Sequence, residues 1–268
     1  MKDFFTDSGI YYRANDIDPK KKTLVLIHGV SGSSSAWLEF EKHFKADHNV
    51  VALDLRGHGF SKKLKEYNDY EIASLSEDIR KITELLGLEN IILVSHSFGT
   101  LIALNLMPDI EDKVDSIVFL SPIFYVHKVR LARITSPIIT QLASVISLFP
   151  FYPGKGGHIN YSKYRNTGDW NLISLAADIK NTSARIFLFC LKQLYAFKGA
   201  DVLLGKITKP TLIIHGTKDT VMPIEEAMDC VKKINGCEFI SVENGCHVLI
   251  RDNEKQLADA IGSFIGKR

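Results

Sequence analysis

The sequence predicts an α/β fold, a doubly wound and mostly parallel sheet interrupted by one inserted helical cap. Three observations predict it. Short, almost continuously apolar, β-rich runs recur along the chain. Helical patterns fall between them. The alternation lapses once, between about Pro122 and Gly205. Apolar runs without polar alternation suit strands covered on both faces, as in a parallel sheet. Strand-then-helix order suits right-handed crossovers.

The predicted strands are 23–27, 50–53, 91–94, 116–120, 211–214 and the shorter 239–242. A helix is predicted over 71–86, where Ile72, Leu75, Ile79, Ile82 and Leu86 share one face and Gly87 ends the run. Further helices are expected over 101–107, stopping before Pro108, and over 224–234 and 254–265. The strandless interval divides the chain into a core of 1–121 and 206–268 and a cap of 122–205. A cap in that place would cover the carboxyl ends of the strands, where such sheets bind ligands.

Size and composition agree. With 268 residues the chain can bury one core and carry an inserted subdomain. Hydrophobic residues make up 46% and charged residues 24%, ordinary for a globular protein. A net charge of +2 does not suit a nucleic-acid binder. Cys190, Cys230, Cys237 and Cys246 form no CxxC pair or zinc spacing, and are read as reduced thiols, with Cys246 a small packing residue. The first residues lack a secretory leader pattern, which by default places the protein in the cytoplasm. The longest uncharged stretch, 134–154, is interrupted by Pro137, Pro150 and Pro153, so it is not read as a transmembrane segment.

The strongest chemical signal is Ser95-His96-Ser97-Phe98-Gly99, directly after the run 91–94 and opening a helix. A serine at a tight strand-to-helix turn, flanked by small residues two before and two after, forms a nucleophile elbow. Small flanks are needed because strand and helix backbones pass close together. The helix N-terminus favours negative charge developing beside Ser97. In the usual G-x-S-x-G pattern the first position is Gly; here it is Ser95.

Through this motif the chain resembles the α/β-hydrolase superfamily over nearly its whole length. Four further features match in order. Leu26-Ile27-His28-Gly29-Val30 follows a strand. By the resemblance, the backbone N–H of Val30 supplies one oxyanion donor and that of Phe98 the other, with His28 structural. Asp54-Leu55-Arg56-Gly57-His58-Gly59-Phe60-Ser61 looks like the D-x-R-G-x-G-x-S loop of capped members, with Asp54, Arg56 and His58 expected to fix the loop. His215-Gly216-Thr217-Lys218-Asp219, continuing to Pro223, matches the turn that carries the family's acid, Asp219, with Lys218 turned to solvent. Asn244-Gly245-Cys246-His247 matches the position of the family's general base, His247. The order Ser97, Asp219, His247 is the order this fold uses. No role is assigned to His43, His48, His96, His127 or His158.

The resemblance implies nucleophilic attack by Ser97 on a carbonyl carbon, an acyl-enzyme, and its hydrolysis by water, with no metal or organic cofactor required. Epoxide hydrolases and haloalkane dehalogenases of this fold place an aspartate at the elbow, where this chain has Ser97. The leading expectation is a serine hydrolase of carboxylic esters with apolar acyl groups. Thioesterase, carbon–carbon hydrolase and acyltransferase chemistries share the same triad. A ligand-binding receptor with little turnover is the alternative of a different class.

Residues 122–205 hold ten Lys and Arg, three Asp and no Glu, a charge of +7 against −5 for the rest. This is either a solvated basic surface or an attraction for an anionic substrate or anionic lipid surface. The span also holds twelve of the 26 aromatics, suited to lining a pocket or to filling the cap's own core. Over 134–149, Ile138, Ile139, Leu142, Val145, Ile146 and Phe149 follow helical spacing. The other side, Thr140, Gln141, Ser144 and Ser147, lacks the Lys and Arg of an interfacial helix, so the apolar face is expected to cover the active site. Gly154, Gly156 and Gly157 are candidates for a hinge.

Overall fold

A computed structural model describes residues 1–267. Eight strands form one sheet: β1 (Lys2–Phe5), β2 (Tyr11–Ala14), β3 (Thr23–Ile27), β4 (Asn49–Leu53), β5 (Ile91–His96), β6 (Val114–Leu120), β7 (Thr211–Gly216) and β8 (Glu238–Val242). Their order is β1-β2-β4-β3-β5-β6-β7-β8. β1 and β2 run antiparallel to their neighbours, and the six from β4 to β8 are mutually parallel. All six predicted strands are present. β1 and β2 are additions to the predicted set.

The helices are α1 (Leu38–Phe44), α2 (Ile72–Leu85), α3 (Phe98–Ile110), α4 (Arg130–Ile146), α5 (Leu172–Thr182), α6 (Ala184–Ala196), α7 (Ala200–Leu204), α8 (Ile224–Lys233), α9 (Leu249–Asp252) and α10 (Glu254–Gly266). They cover both faces of the sheet. Leu24 and Leu26 of β3 join Phe40 of α1 and Ile261 and Phe264 of α10 in one core, while Val25 and Ile27 join Leu75, Ile79 and Leu101 in the other. That is the two-residue period of a strand with both faces buried. Each fully buried side chain of this kind contributes about 1.5–3 kcal/mol.

α3 runs three residues beyond the predicted stop and carries Pro108 inside it. Proline there forfeits one hydrogen bond, but Leu106, Met107 and Ile110 around it are buried, and that packing holds the last turn.

Between β6 and β7 the chain is helical, with α4 to α7 and no strand among the described residues. α4 starts four residues earlier than expected and is turned differently. Ala132 and Ala143 are buried, Ile139 lines a cavity, and Thr135 Oγ1 sits 3.3 Å from Tyr195 Oη on α6. Small residues let the two helices approach closely. Ile134, Ile138, Leu142 and Val145 are exposed and form one outward stripe, continued past the helix end by Phe149, with Leu142 at 49%. The expectation that this apolar face covers the active site is therefore corrected: Ile139 does so, and Leu142 does not.

Arg185 ends α4. Its buried guanidinium donates to the carbonyls of Ile146, Ser147 and Phe149, and to that of Lys65 in the core. A cation on the last carbonyls of a helix opposes the negative end of its dipole. The glycine segment after α4 is pinned to the core. His158 Nε2 lies 2.8 Å from Asp54 Oδ2, Ser35 Oγ donates to Ile159 O at 3.1 Å, and a side chain at Gly156 would collide with Gly59 O. Among the described residues no helix is long and apolar enough to cross a membrane.

Candidate active site

Ser97 sits between β5 and α3 with φ 51° and ψ −120°. Such a positive φ is strained for a serine and costs about 1–3 kcal/mol. The turn lifts the hydroxyl out of the strand, and the neighbours show why it needs small residues. A Cβ on Gly99 would lie 2.6 Å from His28 O and 2.7 Å from Ile27 O, and one on Gly29 would lie 3.2 Å from Ser97 Cβ. Ser95, at the usual glycine position, is fully buried and its hydroxyl has no partner among the described residues.

Two loops at the carboxyl ends of β7 and β8 bring the other residues in. His247 Nε2 lies 2.8 Å from Ser97 Oγ, and His247 Nδ1 lies 2.7 Å from Asp219 Oδ2. A carboxylate only accepts, so Nδ1 carries the proton and Nε2 faces the serine as an acceptor. Asp219 Oδ1 accepts from the N–H groups of Val221 and Met222, at 2.9 and 2.8 Å. Burial alone would raise the Asp219 carboxyl, but the charge and hydrogen bond of His247 outweigh it and hold the pKa below the usual value. For His247 burial opposes protonation, yet the Asp219 carboxylate raises the imidazole above its ordinary pKa.

The backbone of His247 is fixed from both sides. Its N–H donates to Asp169 Oδ1 at 2.6 Å, and its carbonyl accepts from His96 Nε2 at 2.9 Å. Burial, then the nearby His247, push the His96 pKa down to about 3, so His96 is neutral and donates. Asp169 Oδ2 accepts from Thr220 N and Thr220 Oγ1 at 2.9 and 2.8 Å. Neither His96 nor Asp169 carries a local motif, and their partners lie 151 and 78 residues away in the chain.

The other predicted residues hold the loops. His28 Nδ1 lies 2.7 Å from Gly29 O, and its Nε2 accepts from Leu55 N at 2.9 Å; burial pushes its pKa down to about 3. Asp54 accepts from Ser34 N and Phe60 N, Arg56 forms a two-pronged pair with Asp78, and His58 Nε2 lies 2.7 Å from Val30 O. Lys218 is exposed. Cys246 is more than a packing residue. Its thiol donates to Asp252 Oδ2 at 3.2 Å, and burial raises its pKa to about 12, which leaves no thiolate at neutral pH. All four cysteines are unpaired.

Ser97 and His247 face a cavity of about 700 Å³ lined by residues of α4, α5 and α6. Its wall is mainly apolar, with Val126, Val129, Ala132, Ile139, Leu191 and Leu194 among the lining residues. Val30 and Phe98, the two expected oxyanion donors, flank Ser97 from the loop after β3 and from the first turn of α3. The first N–H groups of a helix have no partner within it, and Phe98 is the first residue of α3. Among the described residues no group of three His, Cys, Asp or Glu side chains is placed to hold a metal ion.

A family model for the α/β hydrolase fold matches residues 22–144. An uncharacterised protein of Mycobacterium tuberculosis is 25% identical over 269 residues, covering 95% of this chain and 78% of the relative. Epoxide hydrolase 1 of Caenorhabditis elegans is 24% identical over 92% of this chain and 65% of its own length. Among solved structures, an α/β hydrolase enzyme from a deep-sea metagenome library superposes with a TM-score of 0.76 at 20% identity, covering 99% of this chain and 97% of the other. An esterase from Exiguobacterium antarcticum gives 0.72 at 18% identity, covering 96% and 95%.

Proposed function

We propose that this chain, a member of the α/β-hydrolase fold superfamily, is a serine hydrolase that cleaves carboxylic esters with apolar acyl groups. One observation carries the reading. Ser97 Oγ, His247 Nε2 and Nδ1, and Asp219 Oδ2 lie in a continuous hydrogen-bonded line, 2.8 and 2.7 Å apart, at the foot of an apolar cavity. Residues 122–205 act as its cap. The esterase neighbour supports the ester reading. The epoxide hydrolase relative shares the fold, but Ser97 at the elbow favours acyl chemistry over epoxide opening.

In the first step Ser97 Oγ attacks the ester carbonyl carbon as its proton passes to His247 Nε2. The carbonyl oxygen takes up the electron pair and is held by the N–H groups of Val30 and Phe98. Each such donor lowers the barrier by about 3 kcal/mol. The tetrahedral intermediate collapses, the carbon–oxygen bond to the leaving alcohol breaks, and His247 gives its proton to that alcohol. Water then attacks the acyl-serine, again losing a proton to His247, and the second collapse releases the acid and restores Ser97. Asp219 keeps the proton of the resting imidazole on Nδ1 and stabilises the imidazolium that forms.

The test is a fluorophosphonate probe with the adduct located by peptide mass spectrometry, alongside p-nitrophenyl esters of graded chain length. The expected result is labelling at Ser97 and loss of turnover in Ser97→Ala. Full turnover in Ser97→Ala, or a folded protein that leaves Ser97 unlabelled, would overturn the reading.

A further inference from the structure

The cavity wall is not uniform. The lining includes Asp178 of α5, a carboxyl only 8% exposed, whose pKa burial raises to about 7, so that it is ionised on the alkaline side of neutrality. Oδ1 accepts from Tyr161 Oη at 3.1 Å and Oδ2 from Ser31 Oγ at 3.3 Å. A carboxylate has about four acceptor sites, so two remain. Buried carboxylates are normally paired with a cation. The cations in the same wall are engaged elsewhere: Arg165 with Glu254, Arg251 with Asp252, and Lys42 with Glu39. Among the described residues no cation pairs with Asp178.

Ser31 directly follows Val30, so Asp178 stands one residue from the proposed oxyanion loop. Asp178, Ser31 and Ser97 line the same cavity. Of the ten cations of 122–205 only Arg165 lines the cavity. Besides Arg165, Lys128 pairs with Glu226 and Arg185 is spent on backbone carbonyls. A carboxylate on a substrate would meet the ionised Asp178 as a like charge.

We propose that Asp178, held by Tyr161 and Ser31, is a specificity-determining subsite that binds a hydrogen-bond-donating head on the substrate, a hydroxyl or a primary ammonium, while the apolar wall takes the chain. The proposal rests on the ester-hydrolase reading. The head supplies a further donor to a carboxyl that has two, and once Asp178 is ionised a hydrogen bond to this charged acceptor discriminates by about ten-fold or more.

Two matched ester series test it on wild type, Asp178→Asn and Asp178→Leu. One varies the alcohol: butyl, 4-hydroxybutyl and 4-aminobutyl hexanoate. The other varies the acid: ethyl hexanoate, 6-hydroxyhexanoate and 6-aminohexanoate. The readout, taken above about pH 8 where Asp178 is ionised, is the ratio of kcat/KM between each donor-bearing ester and its parent. In wild type that ratio should exceed about ten in one series. Asp178→Leu should bring it to about one. Asp178→Asn, which keeps an acceptor but no charge, should retain part of a hydroxyl preference and lose an ammonium preference. The two arms thus identify the head. A wild type indifferent to the donor in both series overturns the proposal. So does an unchanged ratio in Asp178→Leu, because a merely structural role lowers all esters together. If the leucine variant fails to fold, the near-isosteric asparagine carries the same test. Failure of the underlying reading shows separately, as no hydrolysis of either parent ester and no label on Ser97.

Discussion

The backbone N–H of His247 donates to Asp169 Oδ1 at 2.6 Å, and the other oxygen of the same carboxylate accepts from Thr220, next to Asp219. One side chain of the helical insertion thus ties the loop of the base to the turn of the acid. Asp169→Ala removes three acceptor contacts from two loops. It should lower kcat about ten- to a hundred-fold, since small misplacements of reacting groups are costly. KM for a short ester should change by less than about two-fold, because Asp169 acts through His247 and not on the chain. Steady-state kinetics on p-nitrophenyl butyrate read both. An unaltered kcat would mean that the loops hold their places without the clamp.

Ser97 carries strain that two substitutions separate. Both Ser97→Ala and Ser97→Gly should lose turnover by roughly a million-fold. Alanine keeps the positive φ, whereas glycine adopts it freely. Thermal unfolding should therefore place Ser97→Gly above Ser97→Ala by about 1 kcal/mol. Equal stabilities would show that the turn is not strained.

His247 must be neutral at Nε2 to take the serine proton. Because Asp219 raises its pKa above the ordinary 6.5, kcat/KM should climb with pH through a midpoint above that value. The stability linkage has the opposite direction. A raised histidine pKa contributes stability that is fully present below about 6.5 and is lost as pH rises through the folded pKa. Asp219→Asn removes the charge that raises it, so the residual activity should have its midpoint shifted to lower pH. A pH–rate profile of both proteins checks the shift.

The cap helix offers a paired test. Ile139 lines the cavity and Leu142 faces outward. Ile139→Ala should widen the pocket and move the preferred acyl chain towards longer esters. Leu142→Asp should leave the chain-length profile where it is. Graded p-nitrophenyl esters distinguish them, and the reverse pattern would mean that α4 is rotated from the position described.

These residues also show where sequence is informative. Ser97, Gly99, Gly29, Asp219 and His247 are legible because local sterics demand them: strand, tight turn and helix must follow within a few residues. Five of the six parallel strands are legible because both faces are buried, whereas the edge strand β8 is half-buried and shows only as a shorter run. β1 and β2 are short, lie at the sheet edge and mix Lys2, Asp3 and Arg13 with aromatics, which hides the strand pattern. Asp169 and Asp178 have no local signal, since they meet partners 17 to 147 residues distant. For α4 the spacing correctly gives an amphipathic helix, but periodicity does not say which face turns inward. Ala132 and Ala143 decide that, by allowing close approach to α6.

The outward stripe of α4 also governs how molecules of this protein meet one another in bulk. With a net charge of +2, mutual repulsion at neutral pH is weak, and five wet apolar side chains along and just past one helix dominate the pair potential. High concentrations of sulfate should therefore salt the protein out early. A polar residue at Leu142 should raise that threshold, so the colloidal behaviour of the chain can be adjusted from a surface that never touches the substrate.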